Sequence, residues 1–303
     1  MSNAPVLVTG ATGFLGAHVM PALRGKASAV GVARHPERAP RELQGADWRA
    51  ADFEQRGVAA ELVRAIAPRA VIHCAALASA AACESDPERA QRLNVGVTLE
   101  VVSAAHELGA RCVIVSTDQV FGAEAPPAGG FDESSPTHPT SVYGASKREA
   151  EERASALDGD LLIARLPLLF GDSLGRGRGA TDSLFAALER GETPALFNDE
   201  WRTPLDVGDA SAALGELALM DDPPRGILHI AGPDRLTRLE LGLIALEARG
   251  VERAEALRRV RSVPRSALDP VPARAADCSL DATRARALLA VRLRSPREAL
   301  RPA

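Results

Sequence analysis

The chain has 303 residues, a formal net charge of −4 and only 3% aromatic residues, long enough for one large α/β unit with a subsidiary lobe. No Lys/Arg stripe interleaved with aromatics is present, which excludes the usual footprint of nucleic-acid binding. No apolar run reaches the roughly 18 residues of a membrane span, and "MSNAP" runs into "VLVTG" without a secretory signal, so a soluble, cytoplasmic protein with no membrane partner is expected.

In chain order, "PVLVTG" reads as a strand and is followed by a helix from about Gly13. Next come "ASAVGVA", then "ADWRAADF" before the helix "AAELVRAIA", then "AVIHCAA" before the long helical stretch "PERAQRLNVGVTLEVVSAAHELG", then "RCVIVST". This alternation, with strands that are continuous apolar runs, predicts an α/β fold: a Rossmann-type doubly wound parallel sheet. Residues 118–140 are rich in Pro and Gly and must be a loop. A helix and the strand "DLLIARLPL" follow. After Phe170 the glycines of "GDSLGRGRGATDS" break the pattern, and helices are expected around 181–190, 208–220 and 238–248, with the strand "GILHIAG" between the last two. Thr237 and Glu240 form a capping-box pattern at the start of the 238–248 helix. Cys74, Cys83, Cys112 and Cys278 show neither C-x-x-C spacing nor disulfide density; Cys74 and Cys112 read as small buried hydrophobes, and no metal site is expected.

"VLVTGATGFLGAHVM" places Gly10, Gly13 and Gly16 directly after the first strand, where a tight turn, close backbone approach to a pyrophosphate and a helix N-terminus coincide. Gly10, Thr12, Gly13, Phe14, Leu15 and Gly16 are therefore the expected dinucleotide turn. The second strand ends "VGVARHPER", with Ala33 and Arg34 where NAD-binding proteins carry an acid. An arginine there pairs with a 2′-phosphate, with Arg38 near, so NADP(H) is favoured over NAD(H); an exposed loop arginine is the alternative. Asp52, with Phe53 beside it, is placed for the adenine amino group or for capping the next helix, and Ala75 closes the fourth strand. The expected NADP-binding domain covers residues 1–170 with 205–231 returning to it, and a smaller C-terminal substrate lobe covers 171–204 and 232–303.

"SVYGASKREAEERA" holds the only tyrosine, Tyr143, and one of two lysines, Lys147, in a chain that otherwise writes its cations as Arg. At i and i+4 they share one helical face. A phenol with a pKa near ~10 becomes a usable acid/base when an adjacent ammonium favours its phenolate. The fifth strand ends with Ser116, Thr117 and Asp118, where a hydroxyl can bond a substrate oxygen; such an end is also a common turn or cap.

"TGATGFLG", "HCAA", "LNVGVT", "STDQVFG", "YGASK" and "RLPLLFG" together resemble the extended short-chain dehydrogenase/reductase superfamily over residues 6–171. "FNDEWRTPLDVGDAS", "GILHIAGPDRLTRLELG" and "CSLDATRARALL" resemble its dTDP-4-dehydrorhamnose reductase branch, which also contains the regulatory β subunit of methionine adenosyltransferase. The resemblance implies that Tyr143 is the catalytic acid/base and that Lys147 binds the nicotinamide ribose and lowers the tyrosine pKa. It further implies that Thr117 orients the substrate carbonyl and that Asn94 belongs to the proton-relay architecture, although an asparagine can also simply bend a helix or hold a water.

Sugar-nucleotide dehydratases resemble this strand end but carry Thr-Asp-Glu; here Gln119 stands in place of the glutamate, and an amide cannot serve as a general base, so dehydration is disfavoured. The reductases usually carry tyrosine there, so Gln119 is a departure that bears on substrate contacts. Arg176 or Arg178 would grip a diphosphate, or belong to a solvated loop. Trp201 would stack on a sugar or base with Arg202 beside it, or pack as a hinge wall. Residues 251–303 hold twelve Arg against six Asp/Glu, either a basic lobe for an anionic small substrate or solvated arginine faces. The expected activity is NADP(H)-dependent reduction of a carbonyl on a small polar substrate, a nucleotide-activated 4-keto-deoxysugar. The alternatives are a cofactor-loaded regulatory subunit without chemistry and an NAD-dependent epimerase. The only partners expected are the small-molecule substrate and, at most, a second copy of the chain in a homodimer.

Overall fold

A strand covered on both faces reads as a near-continuous apolar run, and Val6–Thr9 (β1) is buried throughout. In the computed structural model, which describes residues 4–267 and 273–301, β1 is followed by α1 (Gly16–Ala22), β2 (Ala29–Ala33), β3 (Asp47–Ala50), α2 (Val58–Ile66) and β4 (Ala70–His73). Then come α3 (Ala80–Ser85), α4 (Pro87–Ala90), α5 (Val97–Glu107), β5 (Arg111–Thr117), α6 (Val142–Ser155) and β6 (Leu161–Leu166). The second half holds β7 (Leu169–Phe170), α7 (Ala180–Glu189), β8 (Ala195–Phe197), β9 (Trp201–Arg202), β10 (Leu205–Asp206), α8 (Val207–Leu219) and β11 (Gly226–His229). It closes with β12 (Leu236–Thr237), α9 (Arg238–Ala248), α10 (Arg253–Arg259), β13 (Arg261–Val263), α11 (Thr283–Leu288) and α12 (Pro296–Ala299).

Seven parallel strands form one sheet in the order β11-β6-β5-β4-β1-β2-β3. The chain reverses direction across the sheet between β1 and β4, and ligands on such sheets bind outside the carboxyl ends at that point. Alternate residues serve opposite faces. Val6, Val8 and Ile72 pack with Val19 of α1, with Leu23 just after it, and with Leu214 and Leu217 of α8; Leu7, Val71 and Ile114 pack with Val63 of α2 and Val101 and Val102 of α5. This is the doubly wound architecture that the sequence pattern predicts.

Two departures matter for the site. The expected long helix is divided: a π-helical segment, residues 91–96, joins α4 to α5, and Asn94 lies within it, a common setting for functional side chains. The helix after β1 begins at Gly16, because residues 11–15 make the turn itself.

A smaller cluster formed by Leu184 and Phe185 of α7, Leu243 and Leu246 of α9, and Ala256 of α10 makes the lobe. The capping box of Thr237 and Glu240 is present at the start of α9. β11 and α8 lie on the large sheet. So do Ala275, Cys278, Leu280, Ala285, Leu289 and Leu293, which the sequence assigns to the lobe but whose side chains join the larger core; of the last segment, Leu300 packs against the lobe cluster. Residues 1–3, 268–272 and 302–303 of the expected domain ranges fall outside the described residues. Among the described residues no helix is long and apolar enough to cross a membrane, and no group of three or more His, Cys, Asp or Glu could hold a metal ion.

Candidate active site

At the end of β1, Gly10 has φ +63°, and a Cβ there would lie 2.8 Å from the backbone N and Cα of Ala75 at the end of β4. A side chain at Gly16 would collide with the Gly10 carbonyl. The turn is therefore drawn tight across the switch point, with the N-terminus of α1 behind it, a geometry that fits a pyrophosphate. Beneath it, the Ala75 amide donates to Thr9 Oγ1 (3.2 Å), which faces His73 Nδ1 at 2.7 Å, while His73 Nε2 faces Thr98 Oγ1 at 3.2 Å and that hydroxyl donates to the Asn94 carbonyl (2.7 Å). Burial, and then the Lys147 charge, push the His73 pKa down to about 3, so the imidazole is a neutral strut with fixed roles for both nitrogens.

A cleft of about 350 Å³ opens at this turn, lined by Gly10, Thr12, Gly13, Arg34, Asp52, Phe53, Ala75 and Arg178. Arg34 Nε lies 3.9 Å from Asp52 Oδ1, and Asp52 accepts from the Glu54 amide (3.2 Å) without capping α2. Arg38 ends an exposed 3₁₀ turn. Phe14 packs edge-on against His18, with centroids 5.9 Å apart, and Leu15 turns into the core.

The helix α6 starts on Ser141, whose hydroxyl accepts from the Gly144 amide at 3.1 Å, a cap of about 1 kcal/mol. Position 144 has no room for a Cβ, which would strike the Gln119 carbonyl; this contact sets Tyr143 beside the end of β5. Tyr143 and Lys147 are 9% and 3% exposed. The phenol is pushed above its ordinary value, first by burial and then by the Asp118 carboxylate, with the Thr117 hydroxyl pulling it back. That differs from the expected lowering by Lys147: the phenol is held protonated, the state of a proton donor. Burial pulls Lys147 down to about 8, against the opposing Glu151 carboxylate. Asn94 uses its amide on Leu77, accepting from its N–H (2.8 Å) and donating to its carbonyl (3.2 Å), and on Ser146 Oγ (2.9 Å), which in turn donates to the Tyr143 carbonyl. Its side chain clamps the start of α6 rather than touching Lys147.

A second cleft, about 370 Å³, is lined by Thr117, Asp118, Gln119 and Tyr143 on one side and by Glu200, Arg202, Arg238 and Arg274 on the other. Thr117 donates to Asp118 Oδ1 (3.1 Å). Burial lifts Asp118 to about 6; Arg202 and Thr117 oppose this, and Glu200 adds to it. Arg202, buried, has Nε 3.4 Å from Asp118 Oδ2 and Nη2 3.6 Å from Glu200 Oε1. Asp118 Oδ2 and Glu200 Oε2 have no aligned hydrogen-bond donor among the described residues.

The expected site residues therefore divide among three places. Thr117, Gln119, Tyr143 and Arg202 meet at the second cleft, with Arg202 locked by acids rather than free to grip phosphate. Arg176 donates to the carbonyls of Thr12 and Gly13, and Arg178 lines the first cleft, so both stand at the dinucleotide turn instead of beside Tyr143. Trp201 lies under the Arg235 guanidinium, 4.0 Å from the ring centroid, and does not line the second cleft. Of the arginines in 251–303, Arg253, Arg258, Arg259, Arg265, Arg292, Arg294 and Arg297 pair with nearby acids, which matches solvated faces, while Arg274 reaches the cleft. Glu200, Arg238 and Arg274 carry no local motif and were invisible to spacing arguments.

A dinucleotide turn at the sheet's switch point and a buried Tyr-x-x-x-Lys pair whose tyrosine lines a second cleft define an extended short-chain dehydrogenase/reductase, the class of NAD(P)-dependent reductases. Residues 4–303 match the RmlD substrate binding domain, and the chain belongs to that family. Methionine adenosyltransferase 2 subunit beta of Xenopus laevis is 28% identical over 246 residues, 80% of this chain and 71% of that protein. The probable low-salt glycan biosynthesis reductase Agl14 of Haloferax volcanii is 29% identical over 242 residues, 78% of this chain and 77% of that protein. Among solved structures, a hypothetical dTDP-4-dehydrorhamnose reductase from Sulfolobus tokodaii superposes with TM-score 0.78 at 27% identity, covering 96% of this chain and 97% of the other. The Bacillus anthracis dTDP-4-dehydrorhamnose reductase in complex with NADP shares the fold, with TM-score 0.81 at 22% identity over 99% of this chain and 97% of the other.

Proposed function

We propose that this protein is an NADP(H)-dependent reductase of a nucleotide-activated 4-keto-deoxysugar. The observation that carries this is the buried Tyr143, its phenol held protonated, on the wall of a cleft distinct from the one at the dinucleotide turn. Gly10, Gly13 and the N-terminus of α1 would hold the pyrophosphate, Arg34 and Arg178 the 2′-phosphate, Asp52 the adenine side, and Lys147 the nicotinamide ribose. The bound cofactor supplies the hydride. Tyr143 gives its phenolic proton to the substrate carbonyl oxygen. Thr117 lines the same cleft beside Tyr143 and would orient the carbonyl. Arg238 and Arg274 line the same cleft, Arg274 with Nη1 3.7 Å from Glu200 Oε2, and are the cations that would meet a diphosphate there.

Tyr143→Phe is expected to lower turnover of a dTDP-4-keto-6-deoxysugar by about 10³-fold while NADPH affinity, read by fluorescence, stays within about twofold; retained turnover would overturn the mechanism. A second reading, a cofactor-loaded subunit without chemistry, is favoured by the likeness to methionine adenosyltransferase 2 subunit beta. It predicts stable co-elution with a methionine adenosyltransferase catalytic subunit and no NADPH oxidation across a keto-sugar panel.

A further inference from the structure

Tyr143, Lys147 and Glu151 stand at i, i+4 and i+8 on α6, one stripe along the helix, and all three are buried. Lys147 has no hydrogen-bond acceptor or ion-pair partner within reach among the described residues. Glu151, by contrast, is saturated. Ser116 Oγ donates to Oε1, Arg165 Nε donates to the same oxygen at 3.1 Å, and Arg165 Nη2 donates to Oε2 at 2.7 Å. Arg165 Nη1 also donates to His229 Nε2 (3.2 Å), and His229 Nδ1 donates to the Phe131 carbonyl (3.0 Å). One carboxylate on the catalytic helix is thus fastened to β5, β6 and β11 together, one residue before Thr117 on β5.

We infer that Glu151, fixed by Arg165 and Ser116, is a positioning residue: it sets the register of α6 against the end of β5 and is the carboxylate that keeps the unpartnered Lys147 ammonium charged in a dry site. The inference rests on the assignment of Lys147 to the reductase site, and its test does not use activity. The groups that face Lys147 are His73, a neutral imidazole, and Cys74, whose thiol burial pushes up to about 12, from β4, and Glu151 from α6. Arg165 and His229, the latter pushed down to about 4 by burial and by Arg165, stand behind Glu151. Asp118 acts on Tyr143 from the far side. With both neighbours from β4 uncharged at neutral pH, removing the Glu151 charge leaves burial unopposed.

The chain has two lysines, Lys26 and Lys147, so lysine labelled with ¹³C at Cε gives two side-chain signals whose pH titrations are read directly. In the wild-type protein the Lys147 midpoint is expected near 8. In Glu151→Gln it moves down by about one pH unit, while Lys26 stays in place. Glu151→Asp, which keeps the charge, recovers most of the shift. Glu149→Gln, the same charge change on the exposed face of α6, leaves Lys147 unmoved. If Glu151→Gln does not fold, Arg165→Gln, which keeps a hydrogen bond to the carboxylate but removes the cation that neutralises it, moves the Lys147 midpoint up instead. A Lys147 midpoint unchanged in whichever of these folds, with only the melting temperature altered, overturns the inference. A shifted midpoint in a protein that never turns over a keto-sugar leaves it standing and removes the proposed reaction instead.

Discussion

Arg176, on the loop after β7, reaches back 163 positions along the chain to donate to the Gly13 carbonyl at 3.3 Å and to the Thr12 carbonyl beside it. The guanidinium is partly buried, and burial and Arg178 lower its pKa. Its charge is committed to the dinucleotide turn. Arg176→Ala should therefore weaken NADPH binding by about tenfold, the worth of one charge-assisted hydrogen bond, and leave the keto-sugar KM nearly unchanged. Isothermal titration with NADPH and steady-state kinetics separate the two. A raised sugar KM with unaltered NADPH affinity would return Arg176 to the substrate.

Arg34 and Asp52 face each other at 3.9 Å across the mouth of the first cleft, both substantially exposed. Exposed pairs of this kind contribute little to stability, so Arg34 is free to serve a phosphate. Arg34→Ala is expected to reduce the ratio of NADPH to NADH affinity by about tenfold or more, with the melting temperature unaffected. An unchanged ratio would assign the 2′-phosphate to Arg178 alone, or remove the preference.

The sheet was legible because its signal is local: each strand is an apolar run, and each βα end carries its own residues, so Gly10, Asp52, Thr117 and Tyr143 could be placed without knowing the fold. What escaped the sequence reading is non-local. Glu200, Arg238 and Arg274 reach the Tyr143 cleft only because segments far apart in the chain converge there, and no spacing along the chain encodes that. Arg176 and Arg178 read from loop position as a diphosphate grip or as part of a solvated loop, and they stand at the glycine turn. Leu280 and Leu289 read as lobe residues by sequence order, yet their apolar side chains complete the large core. Glu151 is the one case where a signal was available: it continues the Tyr143/Lys147 stripe by one more turn.

Acid stability should bear the mark of two histidines and one aspartate. His73 and His229 are held neutral, with pKa values of about 3 and about 4, so below about 6.5 the unfolded chain binds protons that the folded one refuses. Each contributes a loss of about 1.4 kcal/mol per pH unit as pH falls. Asp118 acts with the opposite sign. Its pKa is about 6 in the fold against an ordinary 3.8, so between these values the folded state holds a proton that the unfolded chain has released, offsetting about 1.4 kcal/mol per unit. Asp118→Asn removes the offset, and urea unfolding between pH 6 and 4.5 should show a steeper acid decline than wild type. A parallel decline would mean that Asp118 is ionised throughout.

Gly144→Ala tests how closely the catalytic helix must approach the end of β5. Its Cβ would strike the Gln119 carbonyl, and Pro139 Cβ would be 2.9 Å away, so the start of α6 must retreat. A misplacement on the order of 1 Å costs about 10²-fold in rate. The expected result is a kcat loss of that size with NADPH affinity kept, since the turn at Gly10 is untouched. Wild-type kcat would show that α6 has slack at this contact.

Lys147 carries the last and most discriminating prediction, because function and stability pull in opposite directions there. Its pKa is lowered from 10.5 to about 8 by burial, so between these values the unfolded chain holds the proton more tightly than the folded one. Stability contributed by this group is thus lowest below pH 8 and recovers as pH rises toward 10.5. Lys147→Met, similar in shape and uncharged, removes a burial cost on the order of 2 to 3 kcal/mol at neutral pH. The variant should lose turnover and NADPH affinity while melting at a higher temperature than wild type at pH 7, and the two should converge near pH 10. A variant that melts lower at pH 7 would show that the ammonium stabilises the fold, and the site would then hold Lys147 for structure rather than at a cost borne for chemistry.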